Sequence, residues 1–124
     1  MWYARPVLHV ADTARAAAFY RDKLGFTEAW HHTQGGTTLV VQVERDGCEL
    51  ILSQQWREKV GKGMLFISLT QAGFAALPGD CERNGIDLQK GWWGYRCLIV
   101  SDPDGNRLFF PAPDDGGEPE DQEE

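Results

Sequence analysis

The segment Asp46-Gly47-Cys48-Glu49-Leu50-Ile51 has a counterpart 58 residues on, Asp104-Gly105-Asn106-Arg107-Leu108-Phe109. Each copy is an Asp-Gly turn followed by one residue, a charged residue and an apolar run. Gly25-Phe26 is matched in the same way by Gly85-Ile86. A chain that repeats itself at this length folds as two copies of one supersecondary unit, which excludes most other architectures.

The pattern between the repeated segments gives each copy the same element order. Val7–Ala11 reads as a short buried strand. Asp12 or Thr13 can cap the helix Ala14–Leu24, because a short side-chain oxygen accepts from the free N–H groups of a first turn. Gly25 closes that helix in the left-handed region. Phe26–His32 and Thr37–Glu44 read as strands joined at Gln34-Gly35-Gly36. Arg45-Asp46-Gly47 is the next turn, leading into the strand Cys48–Gln54. Residues 55–63 form a polar linker. In the second copy Met64–Thr70 is a strand, Ala72–Asn84 a helix and Gly85 its end, with Pro78-Gly79 expected to interrupt or shorten it. Ile86–Gln89, Tyr95–Ser101 and Asn106–Pro111 are strands, the last two joined by Asp102-Pro103-Asp104-Gly105. The predicted fold class is therefore α+β, with two βαβββ modules whose curved mixed sheets enclose a cleft. Module one runs from about 5 to 54 and module two from 64 to 112, within a single domain of residues 1–112. Residues 113–124 are expected to be a disordered acidic tail.

Nineteen acids oppose twelve bases, and seven of those acids lie in residues 112–124, which hold no base. The body of the chain is thus neutral. Without a basic face to displace counterions, nucleic acid is not an expected partner. No apolar run approaches the roughly 18 residues of a membrane span, and the N-terminal residues do not pattern as a signal peptide. A cytoplasmic location is expected. Cys48, Cys81 and Cys97 are odd in number and lack metal-site spacing; buried inert thiols are expected at Cys48 and Cys97.

The segments Pro6-Val7-Leu8-His9-Val10-Ala11-Asp12, Ala18-Phe19-Tyr20-Arg21-Asp22-Lys23-Leu24-Gly25-Phe26, Trp93-Gly94-Tyr95-Arg96 and Asp102-Pro103-Asp104-Gly105-Asn106-Arg107-Leu108 together resemble the glyoxalase/bleomycin-resistance/dioxygenase (vicinal oxygen chelate) superfamily. The resemblance spans about residues 5–112 and is greatest to bleomycin-resistance-type binding proteins. It implies the two-module fold, and a homodimer with ligand sites in clefts shared between subunits.

In metal-using members four inward side chains, His, Gln or Glu, hold a divalent ion. The resemblance carries these positions onto Arg5, Ile51, Met64 and Phe109. None is an ordinary ligand for such an ion, and a guanidinium would repel one. A register shift of two reaches Glu49, and His9 shares that face, but one carboxylate and one imidazole do not complete a catalytic set. No metal and no cofactor are therefore expected, and the metal-polarised chemistry of the enzymes has no support here.

Strand alternation puts Arg5, Val7, His9, Glu49, Ile51, Ser53, Met64, Phe66, Ser68, Arg107, Phe109 and Pro111 on the inward faces. Leu8, Val10, Leu50, Leu52, Leu65, Ile67, Leu69, Leu108 and Phe110 point outward toward the helices. A face built only as core needs no Arg, Glu, His or Ser, whereas a ligand pocket uses a few such groups among apolar ones. Glu49 and Arg107, at matching repeat positions, either pair with each other or serve a ligand. His9 is either a hydrogen-bonded wall residue or a contact. Five tryptophans are many for 124 residues. Trp30 beside His31 and His32, Trp56 in the linker and Trp93 offer flat rings for heteroaromatic or cationic ligands. Trp93 also fills the position of an aromatic that lines the drug cleft in the resembled family. The expected ligand contacts are His9, Trp30, His32, Glu49, Ile51, Ser53, Trp56, Met64, Phe66, Ser68, Trp93, Arg107 and Phe109. The leading functional expectation is a non-catalytic, homodimeric protein that sequesters a planar, partly cationic natural product such as a bleomycin-class antibiotic. The alternatives are a metal-dependent lyase, isomerase or dioxygenase acting on a small metabolite, and a ligand-responsive module whose acidic tail meets a partner.

Overall fold

In a computed structural model, which describes residues 2–92 and 96–113, Asp12 ends the first strand by capping the first helix. Its Oδ1 accepts from the amides of Ala14 at 2.9 Å and Arg15 at 3.2 Å. The strand before it, β1, is Val7–His9, and the helix, α1, is Thr13–Leu24. Gly25 terminates α1 with φ of 75°, the left-handed value that glycine adopts without a Cβ penalty. Next come β2 (Thr27–Gln34), β3 (Thr37–Arg45) and β4 (Cys48–Ser53), then a single 3₁₀ turn at Arg57–Lys59. The second copy supplies β5 (Met64–Phe66), α2 (Gln71–Arg83), β6 (Leu88–Trp92), β7 (Arg96–Ser101) and β8 (Arg107–Pro111). The repeated βαβββ order is what the sequence predicts. The expected tail beyond residue 113 lies outside the described residues.

The two sheets have equivalent strand orders, β1-β4-β3-β2 and β5-β8-β7-β6. In the first, β1 runs parallel to β4, and the other pairs are antiparallel. The described residues divide into two compact units: 2–64 with 102–106, and 65–92 and 96–101 with 107–113.

In the first unit α1 lies on one face of the sheet. Ala16, Ala17, Tyr20 and Leu24 from the helix are buried, as are Leu8, Val41, Val43, Leu50 and Leu52 from the strands. All the strand residues in that set share one side by alternation. Burying each large aliphatic side chain contributes roughly 1.5–3 kcal/mol. The turn 102–106 closes this unit. Asp102 accepts from the Tyr20 hydroxyl at 3.0 Å, Asn106 donates to the His9 carbonyl at 3.1 Å, and Asp104 receives Arg15 at 2.7 Å. Gly61, with φ of 77°, passes so close that a Cβ there would sit 2.0 Å from the Asp104 carbonyl oxygen. Only glycine fits.

Burial, reinforced by the Asp102 carboxylate, pushes the Tyr20 phenol well above its ordinary range. The folded chain therefore keeps the proton that the unfolded chain gives up near pH 10. Stability is at its full value below that pH and declines above it, because the unfolded state then binds fewer protons. Alkaline unfolding followed by circular dichroism should show this decline, and Tyr20→Phe should flatten it.

In the second unit Thr70 caps α2 through a bond from Gly73 N to its hydroxyl at 3.1 Å. The expected interruption at Pro78 does not occur: the helix runs through it. Pro78 is exposed, so the carbonyl it leaves without a partner, at Phe74, can be served by water. Strand bounds shift by a residue or two from expectation, those of β5 and β6 by more. β5 stops at Phe66, although Ile67 N still donates to the Phe109 carbonyl at 2.8 Å. β6 begins at Leu88 and continues to Trp92, paired along its length with β7. Val100, Leu108 and Phe110 are buried on one face of this sheet, and Cys97, Ile99 and Phe109 form a buried cluster on the other. Among the described residues no helix is long and apolar enough to cross a membrane.

Candidate functional site

The helix-free face of the first sheet is ordered in rows by strand register. Val7 pairs with Ile51, Ile51 with Gln42, and Gln42 with Trp30, giving one row across all four strands. His9, Ser53, Val40 and His32 form the next row, and Glu49 and Glu44 stand opposite each other on the other side. Directly opposed side chains on one face lie about 5 Å apart, close enough to act together. Register shifts in β2 flank Trp30 and follow His32, and bulges of this kind re-aim side chains.

Gln42 is the centre of the first row. Its side chain is only 3% exposed, although it stands on the face that carries the polar groups. Its Oε1 accepts from Arg5 Nη1 at 2.9 Å and from the Trp30 indole N–H at 2.8 Å. Its Nε2 donates to Glu49 Oε1 at 3.0 Å and to Glu44 Oε2 at 3.2 Å. The Tyr3 hydroxyl also donates to Glu49, and the Arg5 guanidinium lies 5.7 Å from the Tyr3 ring centre. Two carboxylates and one guanidinium leave this patch one negative charge in excess. Trp30 keeps 43% of its surface open beside it. The patch thus offers acceptor-only groups next to an open indole ring, a combination that suits a cationic aromatic.

The row through His9 is less polar than its sequence suggests. Ser53 is buried, with its hydroxyl 3.3 Å from Gln55 Oε1. His9 is partly buried and meets the Trp56 ring edge to face at 5.6 Å, and Lys59 sits 5.4 Å over that ring from its Nζ. His9 Nδ1 is a buried nitrogen without a hydrogen-bond partner among the described residues. His32 is exposed, while its neighbour His31 pairs with Glu28 at 2.7 Å.

In the second unit the Phe66 and Phe109 rings stack at 5.1 Å and 18°, and Arg107 lies 5.6 Å from the centre of Phe109. Phe109 is buried, so Phe66 is the member of the pair with an open surface. Ser68 and Trp92 are exposed, and in the first unit so is Met64. Trp93 lies outside the described residues. Of the expected contacts, the structure gathers Trp30, Glu49 and Ile51 on one patch, His9 and Trp56 on another, and Phe66, Phe109 and Arg107 on a third. The sequence reading missed Gln42, Glu44 and Tyr3. The visible sign was Gln42 itself, a lone amide in the apolar run Leu39-Val40-Val41-Gln42-Val43.

The residues at the family's metal positions do not fit a metal. Arg5 is a fixed cation already bonded to Gln42, Ile51 is aliphatic, Met64 offers only a thioether, and Phe109 is a buried ring. Among the described residues no group of three or more His, Cys, Asp or Glu could hold an ion. Burial pushes the thiols of Cys48, Cys81 and Cys97 up, so thiolate ligands are scarce at neutral pH.

Comparison with known proteins places this geometry. The family described as glyoxalase superfamily protein matches residues 3–117. The bleomycin resistance protein of Geobacillus stearothermophilus is 29% identical, over 85% of this chain and 92% of its own. The bleomycin-binding protein of bleomycin-producing Streptomyces verticillus, solved with copper(II)-bleomycin, has the same fold. Its TM-score is 0.73 at 24% identity, covering 92% of this chain and 98% of that one. Lactoylglutathione lyase from Agrobacterium tumefaciens also shares the fold, with a TM-score of 0.68 at 19% identity over 90% of this chain and 93% of that one. With its repeated βαβββ modules and a family match over nearly its whole described length, the chain belongs to the glyoxalase superfamily.

Proposed function

We propose that this chain binds, without transforming it, a planar and partly cationic natural product such as a bleomycin-class antibiotic, and so protects against it by sequestration. The observation that carries this reading is the Gln42-centred patch. It joins Glu44 and Glu49 to an open Trp30 ring. Hydrogen bonds from a cation to carboxylates are stronger than neutral ones, and a flat ring adds stacking to them. The relatives named bleomycin resistance proteins support the ligand class.

We propose further that the working form is a homodimer. Trp2 is fully exposed, Tyr3 is 62% exposed and Val7 and Trp92 are nearly half exposed, apolar surface that a second copy can cover. Light scattering over a concentration series should give the mass of two chains.

Tryptophan fluorescence titrated with metal-free bleomycin tests the main reading. A saturable change at micromolar drug is expected, and mass spectrometry should recover the drug unaltered. A flat titration would remove this ligand class, and a chemically changed drug would replace binding with turnover.

A further inference from the structure

We infer that Gln42 is the positioning residue of this patch: it consumes the Trp30 N–H, so that a ligand meets the face of the indole ring and not its polar edge. The inference rests on the binding reading above.

A glutamine amide has two acceptor sites and two donor hydrogens, and here all four are used. The orientation of the amide is fixed by its neighbours. Turning it over would aim two N–H hydrogens at the donors of Arg5 and Trp30, and would aim its oxygen at two carboxylates. All four contacts would become repulsive.

The second step is position. Gln42 is 3% exposed, and the strand residues on either side, Val41 and Val43, are buried. Its four partners are themselves exposed (Arg5, Trp30) or half-buried (Glu44, Glu49), so water can serve them when an apolar side chain replaces the amide, and the cost to stability is small. A purely structural role would therefore be served as well by leucine. What leucine cannot do is hold Trp30 by its N–H while tethering Glu44 and Glu49 by one hydrogen each. Each carboxylate keeps further lone pairs for a ligand donor. The Trp30 N–H has no further hydrogen, so the ring can offer only its π surface, 43% of the residue being open. The ligand group suited to it is an aromatic plane bearing a donor or cation at its margin, not an acceptor seeking an indole hydrogen.

The test uses the full chain and three variants, Q42L, Q42E and W30F. The readouts are the Trp30 indole N–H resonance in ¹⁵N-labelled protein, the thermal midpoint, and affinity for metal-free bleomycin. Q42L should hold its thermal midpoint, move the Trp30 resonance and weaken bleomycin tenfold or more. Q42E keeps an acceptor oxygen and should leave that resonance near its wild-type position. W30F identifies the resonance, which should be absent from its spectrum. Unchanged affinity in folded Q42L, or a Trp30 resonance that Q42L leaves in place, would overturn the inference. If wild type does not bind bleomycin, the functional reading falls, and the aromatic diamidine DAPI takes its place as the probe for the same comparison. The same ranking with DAPI upholds the positioning role; failure of wild type to bind either probe overturns it.

Discussion

Asp102→Ala should destabilise the folded chain by about 3 kcal/mol or more, since it leaves several buried donors unpaired at roughly 1–3 kcal/mol each. Asp102 is 5% exposed and accepts four hydrogen bonds. Its Oδ1 takes the amides of Asp104 and Asn106, both at 2.9 Å, and its Oδ2 takes the Tyr20 hydroxyl and Asn106 Nδ2, both at 3.0 Å. Removing it orphans the hydroxyl of a fully buried tyrosine on α1 and opens the turn that meets β1 at the His9 carbonyl. Against a typical total stability of about 5–15 kcal/mol, that is a large fraction. Asp102→Asn, which keeps one oxygen, should lose less. Urea unfolding measures both. A loss under about 1 kcal/mol for the alanine variant would show that the turn does not anchor this unit.

The second large effect concerns the ligand. Replacing Glu44 and Glu49 together by Gln should lower affinity for a cationic aromatic such as bleomycin by about 10–100-fold, or about 1.4–2.8 kcal/mol. Bonds to charged groups contribute about 1.5–3 kcal/mol each when well buried. Both carboxylates are only partly buried, so solvent screening reduces that contribution. Stability should change little, because each amide keeps an oxygen to accept from Gln42. Isothermal titration of the double variant against wild type measures the effect, which should shrink as salt is added. Equal affinities would place the recognised cation somewhere other than this patch.

Much of the fold was legible because its devices are local. Asp12 as a cap, Gly25 as a left-handed terminator and Asp46-Gly47 as a hairpin turn act through neighbouring backbone alone, and the repeat reported the topology. Alternation also sorted β1 and β4 of the first sheet: Leu8, Leu50 and Leu52 are buried under α1, while Val7 is open. Pro78 misled because the rule counts the lost helical hydrogen bond in full, whereas Pro78 stands at an exposed position where water can serve the Phe74 carbonyl. The site was less legible. Carrying the family's positions onto the first and last strands of each module drew attention away from β3, where Gln42 and Glu44 stand. Period-two alternation assigns a side chain to a face but does not report what covers it. Ser53 and Phe109 were expected as contacts on that basis; Ser53 is buried beside Gln55, and Phe109 under Phe66.

The central claim is that the helix-free face of the first sheet is the binding surface and works without a metal ion. It is tested most directly by titrating metal-free bleomycin into ¹⁵N-labelled protein in the presence of EDTA and mapping the resonances that move. The account predicts saturable shifts centred on Val7, Gln42, Glu44, Glu49 and Ile51 and on the ring of Trp30. Shifts confined to α1 or to the turn at 102–106, or binding that EDTA abolishes, would contradict it.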